Sequence, residues 1–232
     1  MKTLGLIGGT SWVSTLEYYR MINQSINEKM GGMFSGKILL YSVNHEEFIA
    51  DAETDWDEVS EKLSSIAKML EHAGADCLLI CANTMHMAAD YIRGQIKIPL
   101  IHISEETAKK VKQQHLNKVG LIGTQTTMEY PFFKKVLSDF GIDTLIPVKE
   151  DREYIQSTIF SELSKGIFRK ETKEGYKDIL NRLILKGAEG IILGCTEIPL
   201  LIKEGDCTVP TFDTTAIHAH AAVYFALNND KN

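Results

Sequence analysis

Short apolar runs closed by glycine alternate along this chain with longer stretches in which apolar residues recur every three to four positions. The first pattern suits strands buried on both faces, the second suits helices packed by one stripe, and their alternation is that of a parallel α/β protein. The runs predict strands at Thr3–Gly8, Lys37–Val43, Asp76–Cys81, Leu100–His102, Lys118–Ile122, Thr144–Ile146, Gly190–Leu193 and Val209–Phe212. Between Asp57 and His72, the residues Val59, Leu63, Ile66, Met69 and Leu70 share one helical face, and Gly74 stops the helix. Similar spacing predicts helices over Glu105–His115, Pro131–Phe140, Tyr154–Ser164, Lys173–Lys186 and Thr215–Leu227.

Sliding the chain against itself exposes an internal repeat. Gly5-Leu6-Ile7-Gly8 matches Gly120-Leu121-Ile122-Gly123 at an offset of 115, and the segment from Gly74 to Ile80 matches that from Gly187 to Leu193 at an offset of 113. Two strand–loop units therefore recur in the same order. The predicted fold is α/β with two pseudo-symmetric lobes, each a mostly parallel sheet flanked by helices. Residues 1–99 form the first lobe, with 213–232 returning to it, and 100–212 form the second. The loops at the carboxyl ends of the strands are expected to line a cleft between the lobes, where open α/β sheets put their sites.

Composition narrows the classes. The 232 residues are 44% hydrophobic and 24% charged, enough for a substantial core, which excludes disordered and fibrous chains. A formal charge of −6 with no Lys/Arg block gives no footprint for nucleic acid or an anionic membrane surface. The apolar runs fall well short of the roughly 18–20 residues a membrane span needs. Glycines at 5, 8 and 9 interrupt the amino-terminal apolar stretch before a signal-peptide core can form. A cytoplasmic location is expected, with the cysteines at 77, 81, 195 and 207 as thiols. Metabolite-sized partners remain.

Extending the repeat by a few residues places Cys81 opposite Gly194, Ala82 opposite Cys195 and Asn83 opposite Thr196. Both loops run into a helix. Cys195 thus sits between a strand end and a helix start, where exposed N–H groups favour an anion and would lower a thiol pKa. It is the candidate thiolate, against the commoner buried structural cysteine. Thr10, Ser11, Asn83, Thr84, Thr124, Thr126, Thr127 and Thr196 crowd the same loops. They could cradle a carboxylate or simply cap helices. Gly5-x-x-Gly8-Gly9 is not a dinucleotide fingerprint, no phosphate loop is present, and Cys77 and Cys81 lie about 13 Å apart on an extended strand, too far for one metal ion.

Four segments, Gly5-Leu6-Ile7-Gly8-Gly9-Thr10-Ser11-Trp12, Cys81-Ala82-Asn83-Thr84-Met85-His86, Gly194-Cys195-Thr196-Glu197-Ile198 and Phe212-Asp213-Thr214-Thr215-Ala216-Ile217-His218, resemble the aspartate/glutamate racemase family. The resemblance implies a cofactor-independent amino-acid racemase, a homodimer, in which two acid/base residues flank the substrate α-carbon, usually both Cys and sometimes Thr with Cys. It puts Cys195 at one of these positions and Ala82 at the other, where a methyl group cannot move a proton. Cys81 is adjacent, but alternation along an extended chain turns it away from the site. The resemblance further implies substrate contacts from Gly9, Thr10, Ser11, Asn83, Thr84, Thr124, Thr127, Thr196 and Glu197, with His218 at the site's edge and Tyr154 where some members carry Lys. Some members also carry an Arg after the second strand. Here the stretch from Glu46 to Glu58 holds seven acids and neither Arg nor Lys. The resemblance implies an amino acid or a dicarboxylate as the substrate, and a second carboxylate on it would lack the partner that Arg provides in those members. Two alternatives stand beside racemisation: a one-cysteine decarboxylase of a malonate-like acid, and a non-catalytic binding protein for amino acids or dicarboxylates.

Overall fold

The computed structural model describes residues 1–52 and 55–228. Glu53, within the acidic stretch, and residues 229–232 of the returning segment lie outside the described residues. The chain divides into two compact units, Met1–His102 with His218–Asn232, and Ile103–Ile217.

The first unit carries β1 (Leu4–Gly8), α1 (Trp12–Met30), β2 (Ile38–Ser42), α2 (His45–Ala52), α3 (Trp56–His72), β3 (Cys77–Ile80), a 3-10 turn over Thr84–Ala88 and α4 (Ala89–Arg93). Its sheet is parallel, in the order β2-β1-β3. β1 and β3 are buried along their whole length, which is why their sequences read as unbroken apolar runs. α3 begins at Asp55, whose carboxylate accepts from the N–H groups of Asp57 and Glu58, and ends before Gly74 at φ +96°. Val59, Leu63, Ile66 and Leu70 are buried against the sheet, whereas Met69 is half exposed.

The second unit carries α5 (Ile103–Gln113), β4 (Lys118–Gly123), α6 (Gln125–Glu129), α7 (Pro131–Asp139), β5 (Asp143–Leu145), α8 (Lys149–Ser161), α9 (Lys170–Leu185), β6 (Gly190–Gly194), α10 (Ile198–Leu201) and β7 (Thr211–Asp213). Its parallel sheet runs β5-β4-β6-β7. The helix α11 (Thr214–Leu227) starts here and continues into the first unit. There Ala219, Ala222, Val223 and Ala226 pack with Leu4, Leu6, Tyr18 and Ile22 in one buried cluster.

The repeat is visible in the topology. β1 and β4 are each flanked by the next strand on one side and the one after on the other, and the paired segments keep the offsets of 115 and 113 residues. One expected strand is corrected. Leu100–His102 forms only an isolated bridge, Leu100 with Leu78, held by Leu78 N–H to the Pro99 carbonyl and Ile101 N–H to the Leu78 carbonyl. Pro99 has no N–H to give, and α5 begins at Ile103, so too little chain remains for a strand. The helix expected from Tyr154 starts earlier, at Lys149, and a 3-10 turn over Leu163–Lys165 closes it.

Candidate active site

In the first unit, Gly9, Thr10 and Ser11 follow β1, and Cys81, Ala82, Asn83 and Thr84 follow its neighbour β3, so the pairing brings the two loops together. The Cys81 N–H donates to the Ile7 carbonyl, and the Ser14 hydroxyl donates to the Cys81 carbonyl at 2.8 Å. Gly9 adopts φ +94°, and a Cβ there would lie 2.1 Å from the Val43 carbonyl oxygen, so only glycine lets the loop pass the end of β2. The Ser11 side chain caps α1 by accepting from the Ser14 N–H. The Thr10 carbonyl accepts from His45 Nδ1–H. Ala82 and Thr84 are partly exposed, whereas Asn83 is buried.

Cys81 is fully buried beside Leu79, Tyr18 and Ala222, and burial pushes its thiol far up. It is a core cysteine. His218 sits differently from the sequence reading. Rather than edging the site it is fully buried in the first unit, accepting from the Tyr18 hydroxyl at Nδ1 and donating from Nε2 to the Ile101 carbonyl, both at 2.8 Å. His86 and His102 complete a buried group around it, with ring centroids 5.4 Å (His86–His218) and 4.7 Å (His86–His102) apart. His86 Nδ1–H donates to the Ala82 carbonyl at 2.8 Å, so the group supports the loop from behind. No motif marks Tyr18, His86 and His102 as partners, because they are scattered along the chain.

In the second unit, Thr124 follows β4 and Cys195 follows β6, directly after the paired Gly123 and Gly194. A Cβ on Gly123 would lie 2.8 Å from the Gly194 carbonyl oxygen, so both glycines serve close strand approach. Thr124 caps α6, accepting from the Thr127 N–H. Thr127 is fully buried against the two glycines, where its methyl group packs. Tyr154 stands on α8 beside Gly175, in a surface hollow it shares with the Asp151–Arg182 ion pair.

Around Cys195 the geometry is tight. Its thiol donates to Glu197 Oε2 at 3.1 Å, and the Thr196 hydroxyl donates to the same oxygen at 2.6 Å. Cys195 and Glu197 are both buried. This corrects the expectation of a depressed thiol pKa. Burial, with the Glu197 charge next, pushes the Cys195 thiol well above its ordinary range. The following helix α10 has only four residues and starts three residues on, so its N-terminus cannot compensate. Five acids of the Glu46–Glu58 stretch serve helix starts: Asp55 caps α3, and Glu46, Glu47, Asp57 and Glu58 occupy first turns. Among the described residues, no group of three His, Cys, Asp or Glu could hold a metal ion, and no helix is long and apolar enough to cross a membrane.

Residues 7–222 match the family model for Asp/Glu/hydantoin racemase. The chain belongs to that family. A candidate Asp/Glu racemase from Yersinia pestis is similar at 46% identity, with a TM-score of 0.94 over 98% of this chain and 100% of that one. An aspartate racemase homologue from Pyrococcus horikoshii is 36% identical, with a TM-score of 0.88 over 98% and 100% of the two chains. The broad specificity amino-acid racemase RacX of Bacillus subtilis is 24% identical over 76% of each sequence. Membership in the Asp/Glu racemase family supports a function of the amino-acid racemase type, within the isomerase class.

Proposed function

We propose that the protein moves a proton at the carbon α to the carboxylate of a small amino acid or dicarboxylate, with Cys195 as the acid/base. The observation that carries this reading is the Cys195 thiol at the carboxyl end of β6, aimed at a buried carboxylate and flanked by Thr196. The strand-end loops of each unit, with Thr10, Ser11, Asn83 and Thr84 in the first and Thr124 and Thr196 in the second, offer backbone N–H groups, hydroxyls and an amide of the kind that holds a carboxylate without an arginine and stabilises carbanion-like charge as it develops. The family resemblance makes this a cofactor-independent reaction, with a side chain as the proton acceptor. A homodimer in the cytoplasm is part of the same reading.

Ala82 shapes the chemistry. Racemisation requires a group for each face of the α-carbon, and a methyl at this position leaves one committed acid/base. The test is α-deuterium incorporation from heavy water across an amino-acid panel, followed by proton NMR. Exchange should disappear in Cys195→Ala, and exchange that persists in that variant sinks the assignment. Ala82→Cys or Ala82→Thr should raise racemisation at least tenfold.

A second reading is favoured by the same thiol being held protonated. Decarboxylation creates a carbanion by losing carbon dioxide and then needs only one proton donor, a role that a protonated Cys195 with Ala82 opposite it in the repeat can fill. Carbon dioxide release from substituted malonates, with protonation of one face, would select this reading. No turnover of any malonate removes it.

A further inference from the structure

Three groups meet on one oxygen at the end of β6. Glu197 Oε2 accepts from the Cys195 thiol at 3.1 Å and from the Thr196 hydroxyl at 2.6 Å, and Glu197 is 5% exposed. A carboxylate oxygen has lone pairs enough to accept from both donors at once. Its negative charge disfavours a second one on the neighbouring sulfur. The S–H bond is therefore aimed along the line to Glu197, and its proton already lies on the path of transfer. Burial and the facing carboxylate both push the thiol up, as this arrangement requires.

Resting on the reading that Cys195 moves the α-proton, we propose that Glu197 is the positioning residue of Cys195: its carboxylate holds the thiol protonated and oriented, and takes its proton when the thiolate is needed. In that step the S–H bond breaks, an O–H bond forms on Oε2, and the negative charge passes to sulfur. The thiolate then takes the α-proton. The C–H bond breaks, an S–H bond forms, and the electron pair stays on carbon. Reversal of both transfers restores the resting pair. Thr196 shares the carboxylate charge and so moderates its hold on the thiol.

The first measurement needs no substrate. Cys195 alkylation by iodoacetamide at pH 8 is followed by peptide mass spectrometry in the native chain and in Glu197→Gln. The carboxamide oxygen can keep both hydrogen bonds but carries no charge. The thiolate fraction should rise, with alkylation at least about tenfold faster, one pH unit in thiol acidity. A rate within about twofold of native overturns the proposal. Thr196→Val removes the competing donor and should slow alkylation at least about threefold, and no slowing overturns the part assigned to Thr196. If Glu197→Gln fails to fold, Thr196→Val carries the test. For the second measurement, Glu197→Gln should lower kcat for α-deuterium exchange at least about 100-fold with KM within threefold of native. An unchanged kcat overturns the proton-accepting role. Native protein that exchanges no α-proton, together with faster alkylation in Glu197→Gln, would sink the racemase reading and leave the thiol–carboxylate pair standing.

Discussion

Gly9 is the position where a single methyl group does most damage. At φ +94° an added Cβ would meet the Val43 carbonyl oxygen at 2.1 Å and the Val43 nitrogen at 2.4 Å, both backbone atoms that cannot rotate away. Gly9→Ala should therefore cost about 3 kcal/mol from combined strain and clash, read as a lower urea midpoint. A variant as stable as the native chain would show that this loop relaxes freely. The glycine could be picked from the sequence as a loop residue, but its reason lies at Val43, just past the end of β2 and more than thirty residues away. Cys195 is a similar case. The Gly194-Cys195-Thr196 loop marked it, whereas its protonation state depended first on its burial and then on Glu197 turning inward, and a glutamate two residues on reads equally well as a solvent-facing side chain. Backbone N–H groups at the loop cannot offset the burial of the thiol together with that carboxylate.

Among the elements, the long apolar strands and α3 were readable because each has one dominant period. The longest helix, α1, has no such clear stripe. Its buried face includes Ser14, Thr15 and Ser25 alongside Tyr18, Ile22 and Ile26. Two of the polar three make bonds between elements: Ser14 to the Cys81 carbonyl, and Thr15 as acceptor of the Gly9 N–H. Pairings of this kind leave no period to read. The same holds for the three histidines, which bring together the 3-10 turn at Thr84–Ala88, the segment before α5, and α11. Burial drives His102 and His218 down to about 3 and His86 well below its ordinary value, with neighbouring rings and Arg93 adding to the effect on His86 and His102. All three are thus neutral in the fold, and the folded values lie below the unfolded value of about 6.5. Their contribution is complete above pH 6.5 and is lost as the pH falls from there toward 3. Stability in urea should drop by up to about 1.4 kcal/mol per histidine for each pH unit below 6. Equal midpoints at pH 7 and pH 5 would show that these rings titrate freely.

At the scale of the whole chain, the repeat anticipated that the strand order of one unit would recur in the other, because each copy retained its glycine-ended strands. It could not set where the units divide. The structure divides the chain at 102/103 and 217/218, whereas the pattern placed the breaks at 99/100 and 212/213, since α11 runs from one unit into the other without a change of composition. The first unit depends on that helix. Without Ala219, Ala222, Val223 and Ala226, the faces of Leu4, Leu6, Tyr18 and Ile22 that they cover would meet water, and the Lys2 N–H would lose the Ala226 carbonyl. A chain ending at residue 213 should lose cooperative unfolding of its first unit and aggregate, as followed by circular dichroism and light scattering. A sharp native-like transition would refute this dependence.

The returning helix also imposes an order on biosynthesis. The 115 residues from Ile103 to Ile217 must be made before the helix that completes the first unit exists. At about 5–20 residues per second the ribosome takes roughly 6–23 seconds over them. During that interval the amino-terminal half waits with an open core, while the second unit, continuous in sequence, can close first.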